Sequence, residues 1–148
     1  MKFISILLHL RYFGFVLSTV LLFTACTDDI EHKIEGQWQL KTIEKNGMIS
    51  PVDTVFYNFM NGRVFSITVL QPQELINPGN TRDHAYTFYG YIDELAGDNM
   101  LITIHNPDDG FKEATGWNEG QRIFDIVNIT NKNLMLRTNE QLYSFKKH

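Results

Sequence analysis

Val55-Phe56-Tyr57-Asn58-Phe59-Met60 and Val64-Phe65-Ser66-Ile67-Thr68-Val69-Leu70, with Asn61-Gly62 between them, decide how this chain folds. Both runs are dominated by aromatic and β-branched residues, which pack well on a pleated surface and are stiff at χ1 in a helix. Asn-Gly between two such runs is a strong hairpin signal, because both residues at the tip must take positive φ. The stretch predicts two antiparallel strands.

The same pattern extends in both directions. Upstream, Ile34, Gly36, Trp38 and Leu40 alternate with Glu35, Gln37, Gln39 and Lys41, so a first strand carries its apolar groups on one face. Residues 44–51, with Asn46-Gly47 and Pro51, read as a loop. Downstream, residues 71–83 hold Pro72, Pro78 and Gly79, which interrupt helix and strand alike and predict a long loop. Residues 84–92 form a fourth strand with Gly90 as a bend or bulge. Residues 100–105, 122–129, 134–137 and 141–147 supply four more, and residues 106–120, rich in glycine and polar groups, make a second long loop. No stretch sustains a period of 3.6. Eight short strands joined by turns make an all-β sandwich or barrel, and a closed eight-stranded barrel encloses room for side chains or one small ligand.

The totals fit one domain. Of 148 residues, setting aside residues 1–25 leaves 123 for a single core. Removing Lys2 and Arg11 with that segment takes Lys plus Arg from 13 to 11 against 17 acidic residues, a net charge of −6. That balance argues against nucleic acid or an anionic membrane surface as the main partner. Cys26 is the one cysteine, so no intrachain disulfide and no thiolate metal cluster can form.

Composition changes sharply across Leu22-Phe23-Thr24-Ala25-Cys26-Thr27-Asp28-Asp29. Before it, Lys2 and Arg11 precede a largely apolar run at residues 12–25 that is too short for a membrane span and suits a secretory signal. The junction resembles a bacterial lipobox, with Thr24 and Ala25 at the two small positions before the cysteine and Phe23 where Leu is usual. The resemblance implies removal of residues 1–25, acylation of Cys26 by chains such as palmitate, and a bilayer as partner. Two or three chains anchor stably where one does not. Residues 26–33 then form an acidic linker, and Asp28-Asp29 resembles the tracts that send Gram-negative lipoproteins to the outer membrane or cell surface.

Gly36-Gln37-Trp38 on a first strand followed by seven more strands resembles the lipocalin and lipocalin-like families over residues 34–148. The resemblance implies a single up-and-down barrel with little helix, whose Trp38 and Gly36 close one end beneath a basic side chain from near the last strand, Arg137 being the nearest match. Loop lengths agree with an up-and-down order: those after strands one, three and five run to about 8, 13 and 15 residues, and those after two, four and six to about 2, 6 and 4. The long loops fall at one end, the mouth. The first strand enters from the other end, about eight residues after Cys26, a reach of at most roughly 28 Å. The anchor and the closed end therefore coincide, and the mouth faces away from the membrane.

No catalytic constellation emerges. His32, His84, His105 and His148 are scattered without metal-ligand spacing, Asp93-Glu94 and Asp108-Asp109 suit turns, and no phosphate loop, nucleophile elbow or dinucleotide fingerprint is present. No metal, no cofactor and no enzymatic activity is implied. Asn128-Ile129-Thr130 and Asp53-Thr54-Val55 match glycosylation patterns but lie in or beside strands, and neither is taken as a site.

Aromatics carry the remaining signal. Phe111 and Trp117 sit in a polar loop at the mouth, where only folding back or binding something can bury them. With Tyr57, Phe59, Tyr89 and Tyr91 they are the candidate ligand-binding residues. On the second strand Phe56 faces opposite Tyr57 and Phe59, and on the fourth Tyr86 and Phe88 face opposite Tyr89 and Tyr91, so apolar groups lie on both faces. Two functions follow: a tethered protein binding a small apolar or amphipathic molecule or a glycan at the mouth, or a filled, non-enzymatic barrel that contacts another envelope protein as accessory subunit or inhibitor.

Overall fold

The computed structural model describes residues 28–71 and 84–148; the expected signal segment, Cys26 and the loop at 72–83 lie outside the described residues. The chain divides into two compact units, Met1–His32 and Lys33–His148. Where the sequence suggests an acidic linker, Asp28–Ile34 is a seven-residue helix, α1.

The second unit is built from nine strands: β1 (Gly36–Lys45), β2 (Met48–Pro51), β3 (Val55–Met60), β4 (Val64–Gln71), β5 (His84–Ala96), β6 (Asn99–Ile104), β7 (Gln121–Ile129), β8 (Asn133–Arg137) and β9 (Gln141–Lys147). A second short helix, α2 (Asp109–Thr115), lies between β6 and β7. From β3 to β9 each strand pairs antiparallel with the next, β1 pairs with β3, and a β1–β9 ladder closes the ring. The result is a closed eight-stranded antiparallel barrel with β2 attached to the upper half of β1.

β2 occupies part of the expected loop at 44–51. Asn46 and Gly47 take φ of 52° and 76° between the paired residues Lys45 and Met48, which is the two-residue tip that Asn-Gly favours. At the hairpin that announces the fold, Met60 pairs with Val64, and the turn has three residues, Asn61–Arg63. The third residue moves the left-handed positions from Asn61-Gly62 to Gly62 and Arg63, at φ of 75° and 63°.

Alternation fills the barrel. Trp38, Tyr57, Phe59, Phe65, Ile67, Ile102, Phe124, Leu136 and Phe145 are buried at inward positions, and each such side chain contributes about 1.5–3 kcal/mol of burial. Gly90 lies against the next strand rather than at a bulge. A methyl group there would run into the Thr103 carbonyl and lie 2.9 Å from the Ile104 Cα. The irregularity falls two residues on, between Ile92 and Glu94.

Candidate ligand site at the open end

The two ends of the barrel are closed by different means. At the end where β1 begins, Trp38 is fully buried and its indole N–H donates to the Ile34 carbonyl at 2.6 Å. The Lys147 ammonium lies 5.0 Å from the Trp38 ring centroid. Gly36, at φ 121°, leaves room for it, since a Cβ there would lie 2.9 Å from the Lys147 Cε. The basic residue over Trp38 is thus Lys147 and not Arg137. β8 runs toward the opposite end and Leu134 and Leu136 point inward, so Arg137 emerges at the top of the strand on the outer surface, where it pairs with Asp125 at 3.2 Å.

At the open end the loop between β6 and β7 folds back into the barrel. The Asp108 carboxylate accepts from the Phe111 N–H at 2.7 Å and starts α2, satisfying a donor that the first turn leaves unpaired. Gly116, left-handed at φ 68°, ends it with its N–H on the Lys112 carbonyl. The helix delivers Phe111 and, just beyond it, Trp117 to the interior, both 0% exposed. Phe111 meets Phe88 at 5.1 Å between centroids, and Trp117 meets Phe111 at 5.7 Å, Phe124 at 5.7 Å and Tyr57 at 6.3 Å.

Arg122 covers this plug. It occupies an inward position opposite Ile102, with its guanidinium carbon 4.6 Å from the Trp117 centroid. It donates to the Tyr143 hydroxyl at 2.6 Å and to the Gly116 carbonyl at 3.2 Å, and Tyr143 in turn donates to the Gln141 side-chain oxygen. Burial pushes the Tyr143 hydroxyl above its usual pKa, with Arg122 acting against the rise. Burial and then Tyr143 push Tyr57 up more strongly, with Arg122 and the neighbouring Trp117 indole opposing. The buried Trp117 N–H has no well-formed hydrogen bond among the described residues, and its weaker interaction is with Tyr57.

Among the described residues, depressions lie beside the plug on two sides. β8 is short, and its last residue Arg137 pairs with Asp125, so β7 above that point stands apart from the turn at 138–140. The gap is a notch of about 830 Å³ lined by Asn118, Glu119, Gln121, Arg122, Ile123, Asp125 and the 137–141 segment, with Leu101 below. A smaller groove of about 280 Å³ lies between α2 and β5, against Tyr86 and Phe88.

The candidate ligand residues therefore separate. Phe111, Trp117, Tyr57 and Phe59 are buried inside the barrel. Tyr89 and Tyr91 stand on the outer wall, 61% and 55% exposed, because odd positions of β5 face outward. The six do not form one surface. Among the described residues no group of three His, Cys, Asp or Glu could hold a metal ion, and no helix is long and apolar enough to cross a membrane.

The family model for a lipocalin-like domain matches residues 21–148. The chain belongs to the lipocalin-like domain family. A crystal structure of a lipocalin-like protein from Bacteroides uniformis is 27% identical, with a TM-score of 0.65 over 78% of this chain and 99% of that one. An uncharacterized protein from Bacteroides eggerthii is 25% identical, with a TM-score of 0.63 over 77% of this chain and 98% of that one. No curated protein matches in sequence. A lipocalin-like fold is in general a binding fold and not an enzyme fold, which directs attention to what the open end can hold.

In this lipocalin-like barrel the groups at the open end that sequence reading passes over are Arg122, Tyr143, Gln141 and the α2 caps. One signal was available for the caps: Asp108 and Gly116 bracket seven residues as a helix start and stop do. Another was available for Arg122, which shares an inward face with Phe124 and is a charge where alternation calls for an apolar group.

Proposed function

We propose that this lipocalin-like protein is a lipid-tethered envelope protein that binds a small amphipathic molecule or glycan at its open end, in the notch beside β7 and not in the barrel interior. The observation that carries the reading is the plug. Phe111 and Trp117 occupy the interior at that end, while a notch of about 830 Å³ stays open next to them, within the size range of ligand pockets. Its lining mixes amides, the Thr138 hydroxyl and both signs of charge with the apolar Leu101 and Ile123, which suits a molecule with a polar edge and an apolar face.

The lipobox-like junction at Cys26 supports an anchor in the outer membrane or at the cell surface, attached at the end of the chain that leads into β1. The mouth then faces outward. Native mass spectrometry of the mature protein from its own envelope tests the binding reading by detecting a retained small molecule. Palmitate labelling that survives Cys26→Ala overturns the anchor.

A second reading rests on the outer wall, where Tyr89, Tyr91, Ile123 and Val127 are exposed. These suit an accessory or inhibitory contact with another envelope protein, and a protein partner with no small molecule in the same spectrum favours it.

A further inference from the structure

We infer that the notch recognises a carboxylate, that Arg122 takes it, and that the ligand is an acidic sugar; the inference rests on the notch being the ligand site and narrows what it holds. The charges around the notch are mostly matched. Arg137 pairs with Asp125 at 3.2 Å and Lys45 with Glu140 at 2.9 Å. Arg122 makes no ion pair among the described residues, although it lines the notch. Its hydrogen bonds go to a hydroxyl and a carbonyl and its face lies over an indole, while the carboxylate acting on it, Glu140, does so only through space and is held by Lys45.

Those three contacts also hold it still. A guanidinium has five N–H donors in a rigid fork, and the protein uses one on Tyr143 and one on Gly116. The other three are uncommitted among the described residues, and the indole 4.6 Å from the guanidinium carbon supports the group from one side. A planar carboxylate can then accept two parallel hydrogen bonds without first ordering a flexible side chain. Tyr143 donates its own hydrogen bond to the Gln141 side-chain oxygen, so the hydroxyl oxygen faces Arg122 as an acceptor and the network has one direction.

The anion is a carboxylate and not a phosphate because Glu119 and Glu140 line the same notch. A planar monoanion matches the single unpaired fork, whereas a dianion brings a second negative charge into a lining that already holds Glu119, Asp125 and Glu140. Asn118, Gln121 and Asn139 supply the amide groups that sugar hydroxyls require.

The test is a titration of the uniformly ¹⁵N-labelled protein with sodium D-glucuronate, D-glucose and sodium phosphate at constant ionic strength, following the Arg122 Nε–H and Trp117 indole N–H signals. Glucuronate is expected to shift both saturably and to bind at least tenfold more tightly than glucose. Arg122→Lys, which keeps the charge and loses the fork, is expected to remove that preference. The Arg122 signal of the unmodified protein decides the matter if that variant does not fold. Glucose and glucuronate binding alike with the Arg122 signal unmoved overturns the carboxylate and leaves the notch as a sugar site. Tighter binding of phosphate overturns the choice of anion, and no shift from any of the three overturns the notch reading as well.

Discussion

The two tryptophans provide an internal comparison, because Trp→Phe removes the same atoms from two sites that are both 0% exposed. Each ring lies under a cation, with Lys147 5.0 Å from Trp38 and Arg122 4.6 Å from Trp117, so that part of the loss largely cancels. The indole N–H does not cancel. Trp38 donates to the Ile34 carbonyl at 2.6 Å, and removing the donor leaves a buried acceptor unpaired at a cost of about 1–3 kcal/mol. Trp117 makes no well-formed hydrogen bond and has only its weaker interaction with Tyr57 to lose, so deleting its N–H orphans no well-bonded acceptor. Trp38→Phe is therefore expected to cost about 1–3 kcal/mol more than Trp117→Phe. At a urea m-value of about 1–3 kcal/mol/M, the unfolding midpoints separate by roughly 1 M. Far-ultraviolet circular dichroism reads this independently of the indoles, and equal m-values are expected for both variants. Trp117→Phe costing as much as Trp38→Phe would refute the reasoning.

Gly90→Ala brings a methyl group against backbone at Thr103 and Ile104, which cannot yield as a side chain can; a loss above the roughly 1–3 kcal/mol of ordinary overpacking is expected in thermal melts. Tyr57 and Tyr143 keep their protons in the folded barrel above the unfolded value of about 10. The folded state then binds more protons than the unfolded one, so their contribution is complete below about pH 10 and is lost as pH rises beyond it. Tyr143→Phe should flatten the alkaline limb of a stability curve, and an unchanged limb removes the claim. Lys147→Ala is expected to change Trp38 emission and cost about 0.5–2 kcal/mol, whereas Arg137→Ala, which breaks a half-exposed pair, should cost under about 1 kcal/mol and leave that emission alone.

The barrel was legible because strands with one buried face announce themselves with a period of two, and the wall around Tyr57, Phe65 and Leu134 obeys it. Boundaries were less so. Asn46-Gly47 carried the same hairpin signal as Asn61-Gly62, but Met48 and Ile49 are exposed on a strand with no buried face, so no alternation marked it. Arg137 was assigned to the closed end by its nearness to the last strand, whereas strand direction places it at the other. Lys147 shares no pattern with Trp38; the ladder between β1 and β9, which pairs them, is a long-range fact. The site suffered most, since the plug depends on which way the sixteen-residue connection between β6 and β7 folds, and alternation says nothing about a loop.

The ends of the barrel share a solution and differ in how completely they apply it. Each is stopped by a tryptophan under a cation. Trp38 belongs to β1 itself, its N–H is satisfied four residues upstream, and its cation comes from the strand that closes the ring. Trp117 arrives on a connection outside the ladder, held by a two-turn helix with caps at each end, its N–H without a well-formed hydrogen bond and its cation shared with two oxygen acceptors. Opening the first requires breaking the sheet, whereas opening the second leaves the ladder intact but loses the α2 caps, the guanidinium over Trp117 and the burial of Phe111 and Trp117, about 1.5–3 kcal/mol for each ring. An anion that captures Arg122 acts on the contact that holds Trp117 in place, so occupancy of the notch and the stability of the plug are coupled through that one side chain.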